Sequence, residues 1–444
     1  MRHTKNAKIL TLSCLLSLCL LMTPTIQAET LSTDSNNVEH ITLTPLDTAT
    51  LPTLSKTTSN MRLLKNLLNG DALWNIMART LKRHNYSDEC TQNIQQTLSK
   101  MLNNKVLRLS CSYPSIQPDG DTLLLSGTII LPYSRELKGI ILACHYTIGS
   151  NHEAPSRCCP FESIFTTKGY AVVMADYVGF GVSADRTHPY LYWQSAAKAT
   201  IDLLNYVPDI LTYYGYISPR EIITYGYSEG GPVSLGVAQM VEQTLPDWTL
   251  NAVYAGAGPY DVAMTYDICV EQDSVGIPCA IPMLIMGTSA GYHLNLKKED
   301  FFQEPLLTHY EEWVESKRYT VNEIGVLLQN NRLSQVMTTS GRDKTQPETT
   351  RFYHAMQQSA MLGYLPDCQT YLFHSTEDDM VPFANSRCLQ HSLYENNENY
   401  ANNVNNQNYE NNESNSKTTF DFAPYGTHMA ACIQFLKTVY QSLE

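Results

Sequence analysis

"EIITYGYSEGGPVSLGVAQM", residues 221–240, decides the fold. Glu221 to Tyr227 is a short run rich in β-branched and aromatic residues, and it reads as a buried strand. From Gly230 onward the chain reads as an apolar helix with Pro232 in its first turn, where a missing N–H costs little. Between the two, Gly226-Tyr227-Ser228-Glu229-Gly230 has the form G-x-S-x-G. Serine is not favoured inside helices and glycine weakens strands, so local propensity does not account for this pentapeptide. A sharp, strained turn from strand to helix does. Such a turn lifts the serine hydroxyl above the C-terminal edge of a sheet, where open α/β sheets bind ligands. Gly226 and Gly230 are then required, because Cβ atoms at these positions would meet neighbouring backbone.

Strands and helices alternate on either side. Val106 to Cys111 and Thr122 to Leu131 read as strands joined by the turn "QPDGD". "GIILAC" (139–144) and "YAVVMADY" (170–177) are short apolar runs of the buried-strand kind, as are "LNAVYAGAGPYD" (250–261), "CQTYLFHS" (368–375) and "KTTFDFAPYG" (417–426). Helical segments lie near 160–168 and over 193–214, where Pro208 splits the pattern. This alternation predicts an α/β fold with a mostly parallel central sheet and helices on both faces, its antiparallel start at one edge. Residues 105–261 form the first part of this core and 346–444 the second. Residues 262–345 show helical patterns, clearest over 310–317 and 322–337, and read as an inserted helical cap. The Asn-rich stretch 395–416 is nearly free of large aliphatics and reads as a mobile loop.

A serine nucleophile needs a histidine base, and the base needs an orienting carboxylate. In a sheet of this type the order along the chain is Ser, acid, His. "HSTEDDMVP" (374–382) follows a strand and offers Asp378 and Asp379. The spacing H-x-x-x-D-x-x-V-P selects Asp378. Adjacent side chains after a strand point apart, so only one of the two aspartates is expected to serve the histidine. "APYGTHMAAC" (423–432) supplies His428 on a turn before a helix, whereas His391 borders the Asn-rich stretch and His374 reads as a structural residue at its strand end. For the oxyanion hole, one donor is the backbone N–H of Glu229, directly after the nucleophile. The second is expected from the loop after "GIILAC", at the N–H of Thr147, with Tyr146 as the alternative. His145 precedes Ser228 in the chain and reads as a residue that orients this loop.

The N-terminus and the composition place these elements in context. Arg2, Lys5 and Lys8 precede an apolar run from Ile9 to Met22, and Ile26-Gln27-Ala28 has the form of a cleavage site. Residues 1–28 therefore read as a secretory signal peptide, with cleavage after Ala28 and a secreted or periplasmic product. An N-terminal anchor is the alternative. Residues 29–104 follow as a poorly ordered Thr/Ser-rich leader, to residue 59, and a helical segment. The formal net charge of -13 over 444 residues argues against nucleic acid and anionic lipid surfaces as partners. Ten of the twelve cysteines remain after removal of the signal. Cys269 with Cys279 and Cys368 with Cys388 are candidate disulfides. The cysteine spacing fits no metal site, and neither metal nor organic cofactor is expected. "DYVGFGVS" (176–183) reads as strand-end turn chemistry, since it lacks the spacing of a phosphate-binding loop.

"HYTIGSNHEAPS" (145–156), "MADYVGFGVS" (174–183), "GYSEGGP" (226–232), "AGAGPYD" (255–261), "STEDDMVP" (375–382) and "YGTHMAA" (425–431) together resemble the α/β-hydrolase superfamily. Within it they resemble the secretory lipase family typified by fungal lipase A. The resemblance runs from about residue 105 to the C-terminus. The departures are "CHYT", where many relatives have a glycine after the histidine, and the Asn-rich insert before His428. The resemblance implies hydrolysis of carboxylic esters through Ser228, Asp378 and His428 with an acyl-enzyme intermediate. Its substrate would be a small ester or an acylglycerol, and its cap would make transient contact with a lipid interface. An exported serine peptidase with the same triad is the competing reading, although peptidases of this superfamily usually carry a propeller or extra β domain, and no repeats appear in this sequence. A non-catalytic binding protein on the same scaffold is a third, disfavoured by a complete triad in order.

Overall fold

The computed structural model describes residues 40–42, 53–59, 106–158, 160–329, 331–395 and 417–443. The stretches read from sequence as a signal peptide (1–28) and as helical (60–104), and the Asn-rich residues 396–416, lie outside the described residues. The strands are β1 (His40–Thr42), β2 (Thr53–Ser59), β3 (Val106–Ile116), β4 (Thr122–Pro132), β5 (Gly139–Cys144), β6 (Tyr170–Ala175), β7 (Glu221–Tyr227), β8 (Thr249–Gly256), β9 (Gln369–Ser375) and β10 (Thr418–Ala423). They form one sheet in the order β1-β2-β3-β4-β6-β5-β7-β8-β9-β10. Pairings from β6 to β10 are parallel, and those from β1 to β6 through β4 are antiparallel. This is an α/β-hydrolase type of sheet.

The principal helices are α1 (Trp193–Leu204), α2 (Val207–Tyr213), α3 (Gly230–Thr244), α4 (Val262–Gln272), α5 (Ala280–Gly291), α6 (Val321–Leu328), α7 (Pro347–Gln358), α8 (Ala384–Glu395) and α9 (His428–Ser442). Pro208 sits in the first turn of α2, so the helical pattern over 193–214 is divided there. The period of two sends alternate residues of each strand to opposite faces. Ile140 and Leu142 of β5 join one core with Ala197 and Leu203 of α1 and Val233 and Val237 of α3. Ile141 and Ala143 join the other, with Phe165 and with Ala431, Phe435 and Val439 of α9. The last three are four residues apart and form the stripe by which α9 grips the sheet. Each fully buried Val, Leu, Ile or Phe among them contributes about 2 kcal/mol relative to exposure.

Residues beyond β8 leave the sheet and build a separate apolar cluster. Phe352 of α7 is its pivot, edge-on to Tyr266 of α4 at 5.3 Å and to Phe301 at 5.8 Å between ring centroids. Helix α7 thus packs with the cap, so the inserted unit reaches residue 358 rather than 345.

Three further expectations are corrected. Thr53–Ser59, read from sequence as part of a poorly ordered leader, pairs antiparallel with β3. The outer side of a strand holds a row of unpaired N–H and C=O groups, a template for another strand that composition does not reveal. The helix read over 322–337 is broken, because α6 ends at Gln329 in the left-handed region (φ 53°) before a separate turn over Leu333–Val336. Neither candidate disulfide is formed, because Cys269, Cys279 and Cys368 are free thiols. Cys279 Sγ faces the carbonyl of Val321 and Cys368 Sγ that of Gln369.

Candidate active site

The topology gathers the predicted residues at one edge. Strand order reverses around β5, which lies between β6 and β7. Such a switch point opens a crevice outside the carboxyl ends of the strands. The loop with Thr147 leaves β5 there, and Ser228 directly follows β7. Asp378 follows β9 and His428 follows β10, and the parallel pairing of β9 with β10 brings their loops together. Ser375 Oγ donates to the carbonyl of Gly426 at 2.6 Å, and the N–H of Thr376 donates to that of Ala423 at 3.0 Å.

Ser228 adopts φ 58°, a left-handed conformation that costs a residue with a Cβ about 1–2 kcal/mol. Its N–H donates to Gly256 at 2.9 Å, and its carbonyl accepts from Gly231 at 2.9 Å, so both sides of the turn hold the strain in place. A Cβ on Gly226 would overlap the carbonyl of Gly230, and one on Gly230 would overlap the carbonyl of Cys144. The two glycines are the condition for this turn lying against β5.

His428 Nδ1 and Asp378 Oδ2 are 2.7 Å apart. The carboxylate accepts, so Nδ1 bears the hydrogen and Nε2 keeps its lone pair, which is the tautomer of a general base. Tyr227 donates to the carbonyl of His428 at 2.7 Å and packs its ring 4.9 Å from the imidazole. The residue beside the nucleophile thereby holds the histidine. Asp378 Oδ1 accepts the N–H groups of Met380 at 2.9 Å and Val381 at 2.8 Å. Burial opposes ionisation of Asp378, but His428 and a hydrogen bond from His374 outweigh it and hold the carboxyl well below the usual carboxylate range.

Sequence reading did not assign several of these contacts. His374 is fully buried, and its Nε2 lies 3.3 Å from Asp378 Oδ2 and 3.2 Å from the carbonyl of Val381. Its Nδ1 faces Ser386 Oγ at 2.7 Å, so this histidine stands behind the acid. The spacing of His374 and Asp378 in "HSTED" is the signal that could have shown it. Asp379 Oδ1 accepts the backbone N–H of His428 at 3.0 Å. Both aspartates therefore engage one histidine, one at its ring and one at its backbone, because the N-terminus of α9 presents a free N–H beside the acid loop.

On the other side of Ser228, Thr147 Oγ1 is 2.9 Å from the hydroxyl of Tyr190. His145 stacks on Tyr177 at 3.9 Å and turns its ring nitrogens to the carbonyls of Tyr146 and Asp176. Asp176 is fully buried and accepts from Ser126 Oγ at 2.5 Å and from the N–H of Ser156 at 2.7 Å, tying β4, β6 and the end of the Thr147 loop together. Cap residues press on both flanks. A Cβ on Gly149 would lie 2.7 Å from the carbonyl of Tyr319, and one on Gly276 would lie 2.5 Å from that of Asp379. Among the described residues no group of His, Cys, Asp and Glu is arranged to hold a metal ion, and no helix is long and apolar enough to cross a membrane.

Comparison with known proteins follows from this geometry. No curated protein matches the chain. Among solved structures it is similar to a Legionella pneumophila protein designated a hydrolase, with TM-score 0.65 and 20% identity over 81% of this chain and 94% of that one. It is also similar to the rice cell wall degrading esterase LipA from Xanthomonas oryzae, with TM-score 0.63 and 19% identity over 81% and 93%. Candida antarctica lipase A gives TM-score 0.54 and 13% identity over 73% of each chain. At these identities the likeness is one of fold. A family description, secretory lipase, matches residues 163–438, which run from just before β6 into α9 and include all three of Ser228, Asp378 and His428. By that match the chain belongs to the secretory lipase family.

Proposed function

We propose that this protein is a secreted serine hydrolase of carboxylic esters, acting through Ser228, His428 and Asp378 with an acyl-enzyme intermediate. The supporting observation is the 2.7 Å contact of His428 Nδ1 with Asp378 Oδ2 beside a serine at φ 58°. In the reaction His428 Nε2 takes the proton of Ser228 Oγ as that oxygen adds to the ester carbonyl. The oxyanion forms toward the N–H groups of Glu229 and Thr147. The imidazolium, held by Asp378, then protonates the leaving alcohol as the acyl-enzyme forms. Water, deprotonated by His428, adds to the acyl-enzyme, and the serine leaves with its proton restored. The substrate is a small ester or an acylglycerol. Val326, 70% exposed on α6, is an apolar side chain that the cap offers to a lipid interface. Export rests on the N-terminal signal pattern and on membership of the secretory lipase family.

The test is a panel of p-nitrophenyl esters of increasing chain length beside peptide amides, together with fluorophosphonate labelling read by mass spectrometry. The expected result is ester cleavage and a single adduct on Ser228. Preference for amides would favour a peptidase, and failure of both labelling and turnover would favour a binding protein.

A further inference from the structure

Directly after the nucleophile the chain places an acid, and its carboxyl is buried. Glu229 is 2% exposed, and its Oε1 lies 2.9 Å from Nε2 of His188, which is 5% exposed. Oε2 has no hydrogen-bond partner among the described residues. A buried carboxylate with one oxygen left unpartnered is costly, and this one belongs to the residue whose N–H is the candidate oxyanion donor. A negative charge there would oppose the charge that the site must stabilise.

The surroundings of His188 define how that charge is met. Its Nδ1 lies 2.7 Å from the carbonyl of Val178, which can only accept, so Nδ1 bears a hydrogen. The contact from Nε2 to Glu229 then needs one more proton between the two groups. Whether this proton resides on nitrogen or on oxygen, the pair as a whole is neutral. Without it, a carboxylate would face a nitrogen lone pair. The rings of Tyr177, Phe180 and Tyr190 stand 5.0–6.4 Å from the imidazole and keep the pair dry. Two glycines press its segment into place. A Cβ on Gly179 would come within 2.6 Å of the His188 backbone, and one on Gly287 of α5 would come within 2.7 Å of its carbonyl. Tyr190, two residues on, reaches Thr147. One short segment thus backs both candidate oxyanion donors.

We propose that His188 is a positioning residue of the oxyanion hole, holding the shared proton that cancels the charge of Glu229 so that the Glu229 N–H can stabilise the tetrahedral intermediate. This rests on the ester-hydrolase reading above. His188 does not touch the substrate and acts through Glu229.

The experiment compares kcat and KM for p-nitrophenyl butyrate at pH 7 in the wild type, His188→Ala, and the double variant His188→Ala with Glu229→Gln. His188→Ala leaves an uncompensated carboxylate, and kcat is expected to fall by roughly tenfold to a hundredfold, somewhat less than loss of a whole oxyanion donor, with KM little changed. The double variant removes the charge as well and is expected to recover kcat at least about tenfold over His188→Ala, in keeping with couplings between neighbouring residues. A role in packing alone predicts the opposite, since the double variant would be no better than the single. Should His188→Ala fail to fold, His188→Gln with and without Glu229→Gln gives the same comparison with a smaller cavity. Absence of rescue in the variants that fold, or unchanged kcat on loss of His188, overturns the proposal. A wild type inactive on every ester would instead overturn the reading on which it rests.

Discussion

The backbone N–H of His428 donates to Asp379 Oδ1 at 3.0 Å, while the ring of the same histidine is held by Asp378 at 2.7 Å. Two adjacent carboxylates thus divide one residue between them. Asp378 controls the tautomer and the charge of the imidazole. Asp379 completes the N-terminus of α9, whose first N–H groups have no partner within the helix.

This division predicts unequal mutants. Asp378→Asn should lower kcat on a soluble ester by on the order of ten-thousand-fold, because an amide can hold the wrong tautomer and stabilises the imidazolium less. Asp379→Asn keeps an oxygen acceptor and should cost less than about tenfold. Asp379→Ala removes the cap and should lower stability by about 1 kcal/mol. Kinetics and thermal melting of the three proteins decide the matter, and a crippled Asp379→Asn beside a near-normal Asp378→Asn would exchange the two roles.

Ser228 stores strain at φ 58°. Ser228→Ala and Ser228→Gly should both abolish turnover. Only the glycine relieves the backbone, so Ser228→Gly should be the more stable of the two, by up to about 1 kcal/mol after allowing for the flexibility glycine adds to the unfolded chain. Denaturant melts of the two inactive proteins measure the difference directly, and a Ser228→Gly protein less stable than Ser228→Ala would mean that the turn is not strained.

Two glycines should respond to alanine in opposite ways. Gly230 packs against the carbonyl of Cys144, so Gly230→Ala must push α3 away from β5. It should cost about 2 kcal/mol or more, within the range for overpacked sites, and remove activity through the displaced oxyanion loop. Gly325 lies inside α6, where the nearest atoms to a Cβ are those of Pro278 at 3.7 Å. Gly325→Ala should stabilise by about 0.5–1 kcal/mol, since alanine favours the helix.

Glu162 and Asp378 should have opposite effects on stability as pH changes. Burial pushes the Glu162 carboxyl up to about 7, while His428 and His374 outweigh burial and hold Asp378 low. A raised carboxyl favours the folded state at low pH, and that contribution is lost as pH rises from about 4.5 to about 7. Glu162→Gln should therefore raise the melting temperature at pH 8 and leave it nearly unchanged at pH 4. The contribution of Asp378 is present above about pH 4 and is lost as pH falls through its lowered folded value. Melting curves of wild type, Glu162→Gln and Asp378→Asn from pH 3 to 8 test both signs, and a gain for Glu162→Gln at pH 4 equal to that at pH 8 would exclude ionisation as its cause.

Much of the architecture was legible in local pattern. The apolar runs at 139–144, 170–175 and 221–227 mark strands because burial on both faces leaves no room for polar residues. G-x-S-x-G marks the turn because only glycine clears the backbone at 226 and 230. The order of Ser228, Asp378 and His428 along the chain follows from the order in which parallel strands deliver their C-terminal ends to one edge.

Other features were decided only by the tertiary structure, because they depend on what a distant segment brings. The pairing of Thr53–Ser59 depends on the open side of β3, and the reach of the cap to residue 358 depends on where Phe352 finds Tyr266 and Phe301. Cys269, Cys279 and Cys368, which sequence spacing would place in disulfides, stay free thiols. The partners of the polar groups behind the triad come from afar as well. Asp379 meets a helix start 49 residues on, and Glu229 meets an imidazole 41 residues back. Sequence periodicity records which face of an element is buried, because that is a property of the element itself. A hydrogen bond between two loops is a property of both, and neither loop's sequence contains the other's position.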